Sequence, residues 1–281
     1  MAKSLRKKTL IIIGITIVCL IVVLYGVSQV LLLHSFDELE EQNTRQNVER
    51  VTNALAHELS QLDTTTYDWA AWDDTYAFIE DRNEEYIASN LIDGTFADLE
   101  LNLMLFIDSS GQIVFGKAFD LETEEEIPLL PPSLLEHLAP DAPLVRHTST
   151  ESSVSGIILL AEDPLLVASR PIITSLDEGP VRGALIMGRY LDAAEVADIA
   201  EITQLSFSVH RFADSQLSSN LQEAKSSLSE DTPVFIQPLS EESIAGYTLL
   251  EDIYGNPGLI LEVDIPRAIA RQGQATLQYL I

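Results

Sequence analysis

The chain has 281 residues, of which 44 are Asp or Glu and 16 are Lys or Arg, for a formal charge of −28. A balance this acidic excludes nucleic acid as a partner by repulsion alone, and the length leaves room for one large domain or two small ones. The single cysteine, Cys19, excludes an internal disulfide framework, so stability has to come from packing.

Lys3, Arg6, Lys7 and Lys8 precede an uncharged apolar run, Leu10 to Leu33. As a helix that run reaches about 36 Å, enough to cross a hydrocarbon core of roughly 30 Å. It is longer than the core of a signal peptide and no A-x-A cleavage pattern follows, so it reads as a transmembrane anchor rather than a removed leader. The cations in front of it and the first acid, Asp37, behind it keep residues 1–9 in the cytoplasm and send the remainder outside. All 44 acids lie beyond the run with 12 of the cations, giving that part a charge near −32. Such acidity suits cations or high salt, and Lys117 and Lys225 are the only lysines there; a solvated surface is the plainer reading.

From Phe36 to Gln61 the residues favour helix, with Val48, Val51, Leu55, Leu59 and Leu62 forming one apolar stripe. The spacing predicts a stalk helix over 34–62 whose stripe either packs on its own domain or meets a second subunit in a homodimer. A second helix is expected over Thr65 to Arg82. It carries Tyr67, Trp69, Trp72, Tyr76 and Phe78 among Asp68, Asp73 and Asp74. Trp69, Trp72, Asp73 and Tyr76 then share one helix face, where the rings offer flat apolar contact and the carboxylate can hold an amine or hydroxyl of a small ligand. Aromatics at helical spacing also serve as plain core, and both readings stand at this point.

Leu101 to Asp108 and Gly111 to Ala118 read as a hairpin around a Gly-bearing turn. An acidic loop, 122–126, a Pro-rich segment, 128–132, and a short helix, 133–138, lead to a polar connector at 149–155. Strands at 165–173 and 183–190 flank the turn-rich 175–180, and a helix spans 192–201. Strand-like segments at 207–211, 233–237, 246–252 and 257–265 complete the order. The elements are those of an α+β chain rather than a repeated βαβ. The five histidines, His34, His57, His137, His147 and His210, lack ligand spacing, and no zinc, phosphate-loop or serine-hydrolase motif occurs, so no metal, cofactor or catalytic residue is expected.

Asp68-Trp69-Ala70-Ala71-Trp72-Asp73-Asp74-Thr75-Tyr76, Tyr86, Asn90-Leu91, Leu101-Asn102 and the hairpin Ile107 to Val114 resemble the type-four CHASE family of extracytoplasmic sensory domains. The stretches Ala168 to Ile172 and Gly183 to Arg189 are similar to the same group. The resemblance covers about residues 37–200. It implies a fold related to the Cache and PAS-like sensors, with a lobe over 63–200 and a second, smaller α/β lobe over 201–266. It also implies a small-ligand pocket between the sheet and its covering helices and loops. Arg170 and Arg189, each at a strand end in an acidic domain, then become candidate anchors for a ligand carboxylate, as Arg grips such groups at two points. The alternative for each is a salt bridge to one of the many acids. Family members continue through a second span into a kinase or cyclase module. Here the chain reaches only Leu277-Gln278-Tyr279-Leu280-Ile281, so 267–281 is expected to head toward a span. Output is expected from beyond these residues or from a cytoplasmic or membrane signalling partner. The competing functions are an anchored hydrolase using paired carboxylates and a purely structural surface protein.

Overall fold

A computed structural model of the chain describes residues 2–268, with side chains placed for 13–27 and 34–268. Helix α1 (Ala2–Ala70) is unbroken, so the expected stalk does not stop at Leu62 but continues through Tyr67 and Trp69. No Gly or Pro interrupts residues 36–70. Its buried threonines satisfy their hydroxyls within the helix: Thr44 donates to the Glu40 carbonyl at 2.8 Å and Thr66 to that of Leu62 at 2.7 Å.

Two antiparallel sheets pack along α1. The first orders its strands β3-β2-β1-β6-β5-β4, with β1 Leu103–Asp108, β2 Ile113–Asp120, β3 Glu125–Ile127, β4 Val154–Leu159, β5 Pro164–Pro171 and β6 Gly183–Tyr190. The second orders β7-β10-β9-β8, with β7 Ser206–Arg211, β8 Val234–Pro238, β9 Ser243–Glu251 and β10 Pro257–Pro266. Short helices α2 (Asp73–Asp81), α3 (Glu84–Asn90) and α4 (Asp93–Asp98) lie between α1 and β1. Helix α5 (Ala193–Thr203) joins the two sheets, and α6 (Ser219–Ser227) packs on the second. A 3-10 helix occupies Pro132–His137.

The central strands of the first sheet, β1, β6 and β5, are buried on both faces, which is why they read as continuous apolar runs. In β1, Met104 and Phe106 face the core shared with α1, while Leu103, Leu105 and Ile107 join Leu134, Leu144 and Ile158 on the other side. The α1 stripe enters the shared core: Val48, Val51, Leu55 and Leu62 are buried and Leu59 packs against them. Of its two alternatives, the stripe takes packing on its own domain. Helix and second sheet touch at Gly246, where an added Cβ would stand 2.5 Å from Val48 and 2.9 Å from Thr44.

Among the described residues no helix is long and apolar enough to cross a membrane. The expected span 10–33 includes 10–12 and 28–33, whose side chains lie outside the described residues, as does the expected return segment after residue 268. Between them the apolar side chains from Ile13 to Val27 are exposed.

Candidate functional site

The four residues expected on one helix face sit instead around a break. Helix α1 ends at Ala70, Trp72 has extended backbone (φ −123°, ψ 132°), and α2 starts at Asp73. The cause is tertiary. Ile173 donates its amide to the Ala70 carbonyl at 3.1 Å, and Asp73 and Ser175 exchange two bonds: Asp73 N–H to Ser175 Oγ at 2.9 Å and Ser175 N–H to Asp73 Oδ1 at 3.0 Å. Asp73 and Asp74 then lie in the first turn of α2, where the helix dipole favours carboxylates. Tyr76 donates its hydroxyl to the Pro180 carbonyl at 3.1 Å, and the Arg182 guanidinium lies 3.7 Å from its ring centroid. Tyr67 donates to Asp177 at 2.5 Å. These groups tie the β5–β6 loop across the end of α1.

The two indoles meet edge to face at 6.2 Å, and Trp72 continues to Tyr86 at 5.9 Å. Tyr86 stacks on Phe78 at 4.5 Å and bonds Thr75 through its hydroxyl at 2.6 Å. Burial pushes the Tyr86 phenol up to about 12. Trp69, Trp72 and Tyr76 are therefore half-buried edges of the core. Trp72 also borders a hollow of about 450 Å³ with Asp74, Asn83 and Tyr86.

Neither arginine joins this group. Arg170 grips Asp63 of α1 with both Nε, at 2.7 Å, and Nη2. Arg189 lies near the end of the neighbouring strand, four residues past the partner of Arg170, which separates the two by about 13 Å along the sheet. Its guanidinium lies 3.1 Å from Glu58, 3.2 Å from Glu100 and 3.7 Å from Glu195. It also borders a cavity of about 780 Å³ lined by Phe119, Leu121 and Ile127 and by the start of α5. Eight carboxylates line that cavity, among them Glu100, Asp163, Glu195 and Asp198. Burial first, then Glu58, Glu100 and Asp198, push the Glu195 carboxyl up to about 7 against the opposing effect of Arg189.

Sequence reasoning passed over His147. It is largely buried beside a 270 Å³ cavity that Asp108 and Arg146 also line. Ser169 gives its proton to the Leu144 carbonyl at 2.6 Å, so His147 Nε2 donates to Ser169 at 2.9 Å and Nδ1 accepts from Ser152 at 2.8 Å. Burial, aided by Arg170, pushes this imidazole down to about 4. Only the fold brings these groups together, so spacing held no signal for them. Among the described residues no three His, Cys, Asp or Glu are placed to hold a metal ion.

The described residues thus form an antiparallel two-sheet α+β unit strung on one long helix. The CHASE4 domain model matches residues 54–210, and the chain belongs to the CHASE4 family. It is 32% identical over 248 residues to the methanogenesis regulatory histidine kinase FilI of Methanothrix harundinacea (strain 6Ac), covering 88% of this chain and 27% of that protein. The chain thus spans about a quarter of that relative's length. The fold is similar to the extracellular domain of vpHK1S-Z8, assigned as a histidine kinase (TM-score 0.55, 12% identity, 84% of this chain and 94% of that one). It is also similar to a domain of a sensory box/GGDEF family protein from Vibrio parahaemolyticus (TM-score 0.53, 12% identity, 84% and 99%).

Proposed function

We propose that this chain is the membrane-anchored, extracytoplasmic sensor region of a histidine-kinase-type receptor, binding a small molecule and relaying its arrival along α1. One observation carries the reading: α1 is a single helix that carries an exposed apolar collar at residues 13–27 and then passes both sheets to end under the β5–β6 loop. A displacement at the far end therefore has a rigid path back toward the collar. The lobes are residues 63–200 and 201–266, the span is 10–33, and output belongs to a kinase module beyond this chain or to a signalling partner. Reporter fusions test the topology. One at Met1 should report from the cytoplasm and one in the 122–126 loop from outside; a cytoplasmic signal from that loop sinks the reading.

The ligand seat favoured by size is the cavity beside Arg189, whose volume falls in the usual range for small-molecule sites of about 300–1,000 Å³. Its carboxylates repel anionic compounds and suit neutral or amine-bearing ones. A thermal-shift screen of the whole chain in detergent should find stabilising compounds of that kind, because a ligand for the folded state stabilises by mass action. Ala194, exposed on the cavity wall, provides the control. Ala194→Trp should leave the unliganded midpoint in place and erase the shift, and an unchanged shift moves the seat elsewhere. Trp72, Asp73, Tyr76 and Trp69 then serve the seat only through the β5–β6 loop, with Arg170 holding α1 to the sheet. The homodimer, with the α1 stripe buried, is assigned to the outward face of α1, where Gln42, Gln46, Asn53, Ala56 and Ser60 are exposed. Disulfide trapping of Ala56→Cys in membranes tests it, and monomers only would exclude that face.

A further inference from the structure

Three carboxylates from three parts of the fold meet on one guanidinium. Arg189 is next to last in β6; Glu58 comes from α1, Glu195 from the first turn of α5, and Glu100 from the loop before β1. Arg189 also donates to the carbonyls of Glu100 at 2.8 Å and Leu99 at 3.3 Å. With every group ionised the cluster holds two uncompensated negative charges. Glu58 and Glu195 keep only 15% and 11% of their side-chain exposure, against 69% for Glu100. Water therefore screens Glu100 but not the other two. A shielded carboxylate without its own counter-ion is cheaper to protonate than to leave charged. Glu195 is the one that fits, being both the least exposed and the farthest from Arg189.

We propose that this cluster is a proton-operated joint between the lobes: Glu195 holds a proton while α5 is docked on α1, and ionises, loosening the first turn of α5, as the surroundings turn alkaline. The groups facing Glu195 are Arg189 from β6, Glu58 from α1, Glu100 from the α4–β1 loop and Asp198 from its own helix. Only Arg189 favours ionisation, and the resulting carboxyl, pushed up to about 7, titrates within the range a cell surface meets. The location gives the proton a mechanical consequence. Asp192 caps α5 by accepting from the amides of Ala194 and Glu195 at 2.9 and 3.0 Å, so the titrating residue belongs to the turn that starts the helix. At its other end α5 is held by Arg50 of α1, which donates to the Thr203 carbonyl at 3.3 Å, and the chain enters β7 three residues later. Repulsion between Glu195, Glu58 and Glu100 acts on the one helix that links the sheets. This goes beyond the ligand reading and is measured with no ligand added, so either can fail without the other.

The test is hydrogen exchange of the whole chain in lipid nanodiscs at about pH 6 and about pH 8, corrected for intrinsic rates, with the α6 peptide as internal reference. The peptide holding the start of α5 should exchange several-fold faster at the higher pH while the α6 peptide stays constant. Glu195→Gln, which imitates the protonated acid, should keep α5 at the slow rate at both pH values. The proposal is overturned if α5 and α6 respond alike in the natural protein. A Glu195→Gln variant that retains the full pH response overturns it equally. The comparison within the natural chain decides the matter even if the variant does not fold.

Discussion

Asp73, Arg170 and Arg189 each carry chemistry that could hold a ligand, and each is bonded to neighbours within the chain. The Asp73 carboxylate accepts the Ser175 amide and the Asp73 amide donates to Ser175 Oγ, so this residue fastens the β5–β6 loop to the start of α2. Asp73→Ala should therefore cost about 1 kcal/mol in denaturant unfolding while leaving any ligand-induced shift in place. Loss of that shift at unchanged stability would return Asp73 to the binding site. Arg170 is more heavily committed, since removing it leaves Asp63 beneath the sheet with only Ser153 as a donor, at 2.9 Å. Arg170→Met should cost about 2 kcal/mol or more, and a loss below half of that would mean Asp63 reaches water. His147 supplies a pH dependence of definite sign. Its folded form stays neutral down to about 4, whereas an unfolded histidine takes a proton near 6.5. Its stabilisation is complete above that upper value and is lost as pH falls toward the lower one, by up to about 3 kcal/mol. Glu195 runs the opposite way across much of the same window: its contribution is complete below about 4.5 and disappears as pH rises toward 7. Unfolding of the natural chain, His147→Gln and Glu195→Gln at about pH 4, 6 and 8 separates the two; equal curves for all three would remove both groups from the account.

At the scale of elements, the regular signals transferred well and the tertiary ones did not. Strands β1, β2, β5, β6 and β10 were legible because burial on one or both faces leaves apolar runs bounded by turn residues. The 154–159 strand resembles a connector at its start because serines and Gly156 open it, although Ile157 and Ile158 are core. Helix α6 leaves little signal because its face is short and about half of it is Ser, Gln and Lys; Leu221 and Ala224 alone are buried in it. The helix break at Ala71 is not legible in the sequence, since no Gly or Pro marks it and Ser175, which bonds the Asp73 amide just after it, is 102 residues from Asp73. That break is what undid the shared face of Trp69, Trp72, Asp73 and Tyr76. The α1 stripe was legible as a stripe, but the identity of its partner was not, because a core-facing and a dimer-facing seam share one spacing. Leu55→Glu puts a charge against both sheets, and should abolish folding or cost about 4 kcal/mol or more, rather than produce a stable monomer. A well-folded monomer would make the stripe an interface. Gly246→Val should cost about 1–3 kcal/mol by prising α1 from β9.

Across the whole molecule, a chain with this excess of acid ties α1 to the residues after β10 through a cation, and the relay proposed above makes that tie a route for displacement. The described residues supply one connection at that end. Arg267, just after β10, donates Nε and Nη2 to Glu40 of α1 at 2.9 and 2.7 Å, while its amide donates to the Glu242 carbonyl at 2.8 Å. Glu40 is 4% exposed and its second oxygen has no partner, so the carboxylate depends on this one guanidinium. The incoming helix and the outgoing chain are thereby fastened at one level, which lets a shift of α1 carry the exit with it. Breaking one side should be costly, since Arg267→Ala leaves a buried charge alone, at about 3 kcal/mol or more. Replacing both, as Glu40→Leu with Arg267→Met, should recover most of that stability, because an apolar pair of similar volume needs no desolvation. The pair therefore separates stability from coupling. If the clamp transmits, the double variant unfolds like the natural chain in denaturant, yet its residues after β10 no longer respond in hydrogen exchange when the far end of α1 is perturbed, for instance by Asp73→Ala. A double variant that still carries the response would place the connection in the β10 to α1 core contacts, at Val263 and Ile265, instead of in the clamp.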